Sequence, residues 1–105
     1  MTRIVLRRRA RAEIGAAVER YQAESPSAAD AFFRTVQDAL AAIAENSRQF
    51  HVLRGRLRRV ILRRFPYGVY YKIYPDHISV VGVIHLRRDP RRWLVREAPG
   101  ITVSV

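Results

Sequence analysis

Cysteine is absent from this chain, which excludes a disulfide framework and any thiolate metal site. That absence is compatible with a reducing compartment. Lysine is almost absent: Lys72 is the only one among 20 basic residues, the rest being arginine. Acids are scarce in the second half, where residues 51–105 carry 3 of them against 11 arginines and Lys72; residues 1–50 carry 6 against 8 arginines. The formal net charge of +11 is therefore concentrated after residue 50. Such asymmetry implies an anionic partner, whether nucleic acid, a ribosome or an acidic protein. The three histidines, His51, His77 and His85, have no ligand-type spacing, so no metal is expected. The five glycines make no phosphate-cradling loop, and no cofactor is expected either. No apolar run reaches the length of a membrane span. The opening MTRIVLRRRA is basic but lacks the apolar run of a signal peptide. The expectation is a cytoplasmic protein without a membrane partner, its 105 residues forming one domain over 1–105.

What is present is clear periodicity. Thr2 to Leu6 alternates as a short strand. Ala10, Ile14, Ala17, Val18 and Tyr21 recur at helical spacing and predict a helix over roughly 8–23. Ser25-Pro26 restarts the chain, with Ser25 suited to an N-cap and Pro26 to the first helical position. The second helix is predicted to run to about Asn46, burying Ala29, Phe32, Phe33, Val36, Leu40 and Ile43. So short a link makes the two helices an antiparallel hairpin. Residues 47–55 read as a loop. Three strands follow, at about 57–65, 69–74 and 78–86, parted by Pro66-Tyr67-Gly68 and Pro75-Asp76. The tail ITVSV has strand composition, and residues 94–105 are expected either to pair with an edge or to stay mobile.

The expected fold class is α+β, in the order β-α-α-β-β-β, with the helix hairpin on one face of a small, mainly antiparallel sheet. The other face is left open. Alternation groups Ile78, Val80, Gly82 and Ile84 on one side of the last strand and Ser79, Val81, Val83 and His85 on the other. The more polar sets of the three strands would then make a basic, aromatic surface opposite the helices.

The stretches AEIGAAVERYQAESPSAADAFFRTVQDALAAI, LRRFPYGVYYKIY and ISVVGVIHLRRDPRRW, in this order, resemble the RelE/ParE superfamily of bacterial type II toxins, and most of all its ParE-like, plasmid-stabilisation branch. The resemblance covers residues 2 to about 93. It implies a toxin paired with a cognate antitoxin, acidic as a rule, which would wrap it into a toxin–antitoxin hetero-oligomer. It also implies one of two targets: DNA gyrase, poisoned without bond-breaking, or mRNA on the ribosome, cut by a metal-independent endoribonuclease. Fold does not choose between them.

Metal-free RNA cleavage needs a base for the 2′-hydroxyl, cations for the phosphorane charge and an acid for the leaving oxygen. The residues here that suit those tasks are His85, Arg59, Arg63 and Arg87, with Tyr70 or Lys72 assisting. His85 is equally readable as a packed, hydrogen-bonded histidine. RelE-like nucleases tend to carry several sheet lysines and a tyrosine near the C-terminus; here Lys72 stands alone and Tyr74 is the last tyrosine. The nuclease set is thus incomplete, and the segment VIHLRRDPRRW reads as a contact surface. Asp89-Pro90 would turn Arg87, Arg88, Arg91, Arg92 and Trp93 away from the strand end as target-binding groups. On the hairpin, Ile14, Val18, Tyr21, Phe32 and Val36 form a stripe that is either core or antitoxin groove.

Overall fold

The structure is a computed structural model and describes residues 2–88. Strand β1 (Ile4–Leu6) leads into helix α1 (Arg8–Glu24) and helix α2 (Pro26–Glu45). Strands β2 (His51–Arg54), β3 (Leu57–Ile61), β4 (Tyr67–Ile73) and β5 (Ile78–His85) follow. They form a five-stranded sheet in the order β1-β5-β4-β3-β2, in which only β1 runs parallel to its neighbour. This α+β architecture, with the hairpin over one sheet face, agrees with expectation. No helix among the described residues is long and apolar enough to cross a membrane.

Ser25 alone separates the helices. Its backbone is extended, its N–H donates to Tyr21 O, and its Oγ accepts from Ala28 N at 3.1 Å. One residue therefore closes α1 and caps α2, with Pro26 preset for the first turn. Ser25→Ala is expected to cost about 1 kcal/mol by leaving an N-terminal amide unpaired. A denaturant midpoint shift at unchanged slope is the check.

Five expectations need correction, four of them in the sheet. Residues 47–55 are not wholly loop, since His51–Arg54 pairs with β3 as an edge strand. Only Leu53 of those four is even half-buried, so the period-two signal was too weak to read. Gly55, at φ 54, supplies the left-handed turn of the β2–β3 hairpin. Next, β3 stops at Ile61, four residues short of the expected end, and the reversal lies at 62–66 instead of at Pro66-Tyr67-Gly68. Arg64 takes φ 69 there, Tyr67 N donates to Phe65 O across Pro66, and Tyr67 and Gly68 already belong to β4.

The third correction concerns facing. Tyr70 pairs with Gly82 but Tyr71 with Val80, so Val81 is an extra, bulged residue. Ile78 and Val80 consequently share the helix-covered face with Val83 and His85, while Ser79, Gly82 and Ile84 lie on the other. The fourth follows from burial. The face away from the helices is not an open surface at its centre, because Leu57, Tyr70, Lys72, Ser79 and Ile84 are all buried there.

The main core lies between hairpin and sheet. Ala10, Ile14 and Ala17 of α1 and Phe32, Val36 and Ile43 of α2 meet Val69, Tyr71, Ile78, Val80 and Val83. Phe32 sits at an aromatic junction, with Tyr21, Phe65 and Tyr67 rings 5.1–5.3 Å from its own. Phe33, expected in the core, points outward and is 46% exposed. It lies one position, about 100°, round the helix from Phe32.

Candidate functional site

His85 ends β5 on the helix-covered face, directly across from Tyr67 of β4. The two rings meet edge to face at 5.1 Å. The chain then turns, and the backbone N–H groups of Arg87 and Arg88 both donate to His85 Nδ1, at 3.1 and 3.2 Å. A nitrogen that accepts carries no proton, so the neutral ring holds its hydrogen on Nε2. Burial, and after it the cations Arg20 and Arg87, hold the His85 pKa below the usual histidine value. Helix α1 supplies the rest of the surroundings. Arg20 donates to Tyr67 Oη at 3.1 Å, and Glu13 Oε1 accepts from Val83 N at 2.9 Å. The second contact has a topological cause. β1 pairs with β5 only as far as Val80, and beyond that the outer edge of β5 would leave Val83 N–H unpaired. Glu13, Arg20, Tyr67, His85 and Arg88 line a shallow pocket of about 160 Å³.

This arrangement is poorly suited to proton transfer. The lone pair on Nδ1, which a general base would use, is already engaged by two backbone donors, and Nε2 keeps its proton in the neutral ring. Nor do the other candidates converge. Arg59 pairs with Tyr70 on the opposite sheet face, its aliphatic stem lying over Gly68, where an added methyl would approach Arg59 Cδ to 3.1 Å. Arg63 stands in the β3–β4 turn beside Asp38 and Thr35 of α2. Tyr70 and Lys72 are buried on the Arg59 side. Of the four, only His85 and Arg87 come together. Among the described residues no group of three or more His, Asp or Glu side chains is placed to hold a metal ion.

Arg87 and Arg88 are exposed just beyond His85. Arg91, Arg92 and Trp93, with Asp89-Pro90 and the tail 94–105, lie outside the described residues. The hairpin stripe resolves toward core. Phe32 and Val36 are 0% and 1% exposed, Ile14 is buried, and Val18 and Tyr21 pack half-buried against the same cluster. A partner has no direct access to Phe32 or Val36. Glu13 and Arg20 were not singled out from the sequence. Their only signal is a seven-residue spacing, which puts two opposite charges on one face of α1.

The comparisons with known proteins bear on this geometry. No curated protein sequence matches the chain. Among solved structures it is similar to a chain of the "Chromosomal ParDE TA system from P. aeruginosa", with a TM-score of 0.73 over 83% of this chain and 98% of that one. At 15% identity that likeness establishes a shared fold. The family model described as "ParE toxin of type II toxin-antitoxin system, parDE" matches residues 4–90, from the first strand to just past the His85 turn. The chain therefore belongs to the ParE toxin family of type II toxin–antitoxin systems.

Proposed function

We propose that this toxin arrests growth in the bacterial cytoplasm by binding DNA gyrase rather than by cutting RNA. The observation that carries the reading is the engagement of His85 Nδ1 by its own backbone, which leaves the candidate nuclease without a base. The exposed Arg87 and Arg88, continued in sequence by Arg91, Arg92 and Trp93, would serve as gyrase contacts.

The antitoxin would be an acidic segment drawn by the +11 charge and folding on contact. Its apolar anchors would seat in the groove between α2 and β3, where Ala39, Phe50, Val60 and Ile61 are flanked by Arg63 and Arg64. Ile61 is 52% exposed there. Phe32 and Val36 would support that surface from beneath.

In a supercoiling assay the purified toxin is expected to inhibit gyrase and to accumulate gyrase-dependent double-strand breaks, with antitoxin abolishing both. Programmed ribosomes given a labelled message should release no new fragment. A cut in the ribosomal A site, lost in His85→Ala and accompanied by normal supercoiling, would replace this reading with the ribonuclease.

A further inference from the structure

At the end of the sheet opposite His85 lies a cleft of about 600 Å³. Three arginines reach it from three separate parts of the chain: Arg48 from the segment after α2, Arg56 from the β2–β3 turn and Arg58 from β3. Among the described residues no acidic one lines it, and none of the three arginines meets a carboxylate. Three like charges gathered without a carboxylate partner of their own repel one another, and an incoming anion relieves that cost.

Two of the arginines, Arg58 and Arg56, are also held in place. Arg58 Nη1 donates to the carbonyls of Arg48 and Phe50, at 3.1 and 2.8 Å, leaving the rest of its fork for other acceptors. The Arg56 guanidinium lies over the Tyr74 ring at 5.4 Å. Tyr74 is stacked on His77 at 5.0 Å and 13°. His77 is fixed in turn. Arg7 can only donate, so His77 Nε2 accepts from it at 3.2 Å and Nδ1–H donates to Asp76 Oδ1 at 2.8 Å. A guanidinium held over an aromatic ring loses less freedom on binding and still has N–H groups to offer a phosphate.

We propose that this cleft binds the phosphodiester backbone of a nucleic acid, at a site separate from the gyrase-contacting segment. Two features favour that ligand over an acidic peptide. Exposed Arg3 and Arg54 adjoin the lining residues Thr2 and Gly55 in sequence, and added positive charge beside the cleft suits a polymer charged at every unit. The cleft wall is arginine-rich and offers no buried apolar pocket, whereas a peptide segment draws most of its affinity from apolar anchors.

The test is fluorescence anisotropy of the full chain with a labelled DNA duplex and, in a second arm, a labelled single-stranded RNA of equal length, each titrated across a salt series. The probe variant is Arg48→Gln with Arg56→Gln. The control is Arg11→Gln with Arg34→Gln, which removes the same charge from exposed helix positions. The cleft pair is expected to weaken binding about tenfold in at least one arm and to lower the duplex salt slope by about 2, the control pair doing neither. The arm with the larger loss identifies the nucleic acid. Equal losses in both pairs would reduce the effect to diffuse charge and overturn the site, as would absence of binding in both arms. Selective loss of a labelled polyglutamate peptide, with nucleic-acid binding unchanged, would reassign the cleft to an acidic protein. The assay contains no gyrase, so its outcome is separable from that of the supercoiling assay.

Discussion

Phe32→Ala is expected to cost about 3–5 kcal/mol of folding stability, the largest loss from any single substitution considered for this chain. Phe32 is 0% exposed and its ring is enclosed by Tyr21 of α1, Phe65 of the β3–β4 turn and Tyr67 of β4. Removing it forfeits the transfer energy of the ring and leaves a cavity that three differently anchored aromatics cannot fill together. Edge-to-face geometry with two of those rings adds to the loss. Small domains have about 5–15 kcal/mol in total, so the variant should be largely or wholly unfolded in mild denaturant. Phe33→Ala, one position along and 46% exposed, is expected to change stability by less than about 0.5 kcal/mol. Urea titration of both variants gives the contrast. If Phe32 served mainly as a partner anchor, Phe32→Ala would fold like the parent and lose only antitoxin binding.

That contrast shows how far the sequence could be read. Helical spacing placed Phe32 and Phe33 on the same broad apolar stripe, yet a step of about 100° sends one inward and the other into solvent. Hydrophobicity alone does not locate the stripe's centre. The hairpin itself was legible because Ser25-Pro26 is a local signal, complete in two residues. β2 was not, because a solvent-facing edge strand has little apolar alternation to show. The Val81 bulge inverted the assignment of every residue after it on β5, since one extra residue in a period of two exchanges the faces. The same holds at the site. His85 and Arg87 were found because they are near in sequence. Arg20 meets Tyr67 across 47 positions and Glu13 meets Val83 across 70, and no local pattern encodes such contacts. Arg59 was grouped with His85 on charge alone; the strand pairing puts the sheet between them.

His85→Ala is expected to release the turn that presents Arg87 and Arg88, and with it much of the gyrase binding proposed for this segment. Two backbone N–H groups lose their shared acceptor, at about 0.5–1.5 kcal/mol each, which corresponds to roughly fivefold or more in how often the segment holds its bound geometry. His85→Asn should restore most of it, because an asparagine oxygen accepts from N–H groups two and three residues onward in the same manner. Acid should imitate the alanine variant. The folded His85 pKa lies below the unfolded value, so the unfolded chain takes up the proton first. The contribution of neutral His85 is complete above the unfolded pKa of about 6.5 and is lost as pH falls through the lower folded value. Protonation there removes the acceptor and sets an imidazolium beside Arg20 and Arg87. Hydrogen exchange at the Arg87 and Arg88 amides reads this directly. Protection should be present in the parent at pH 7.5, lost in His85→Ala, and independent of pH between 5 and 7.5 in His85→Asn once intrinsic exchange is normalised. Equal protection in parent and His85→Ala would mean that the turn stands without the imidazole, and that the proposed gyrase contact owes nothing to it.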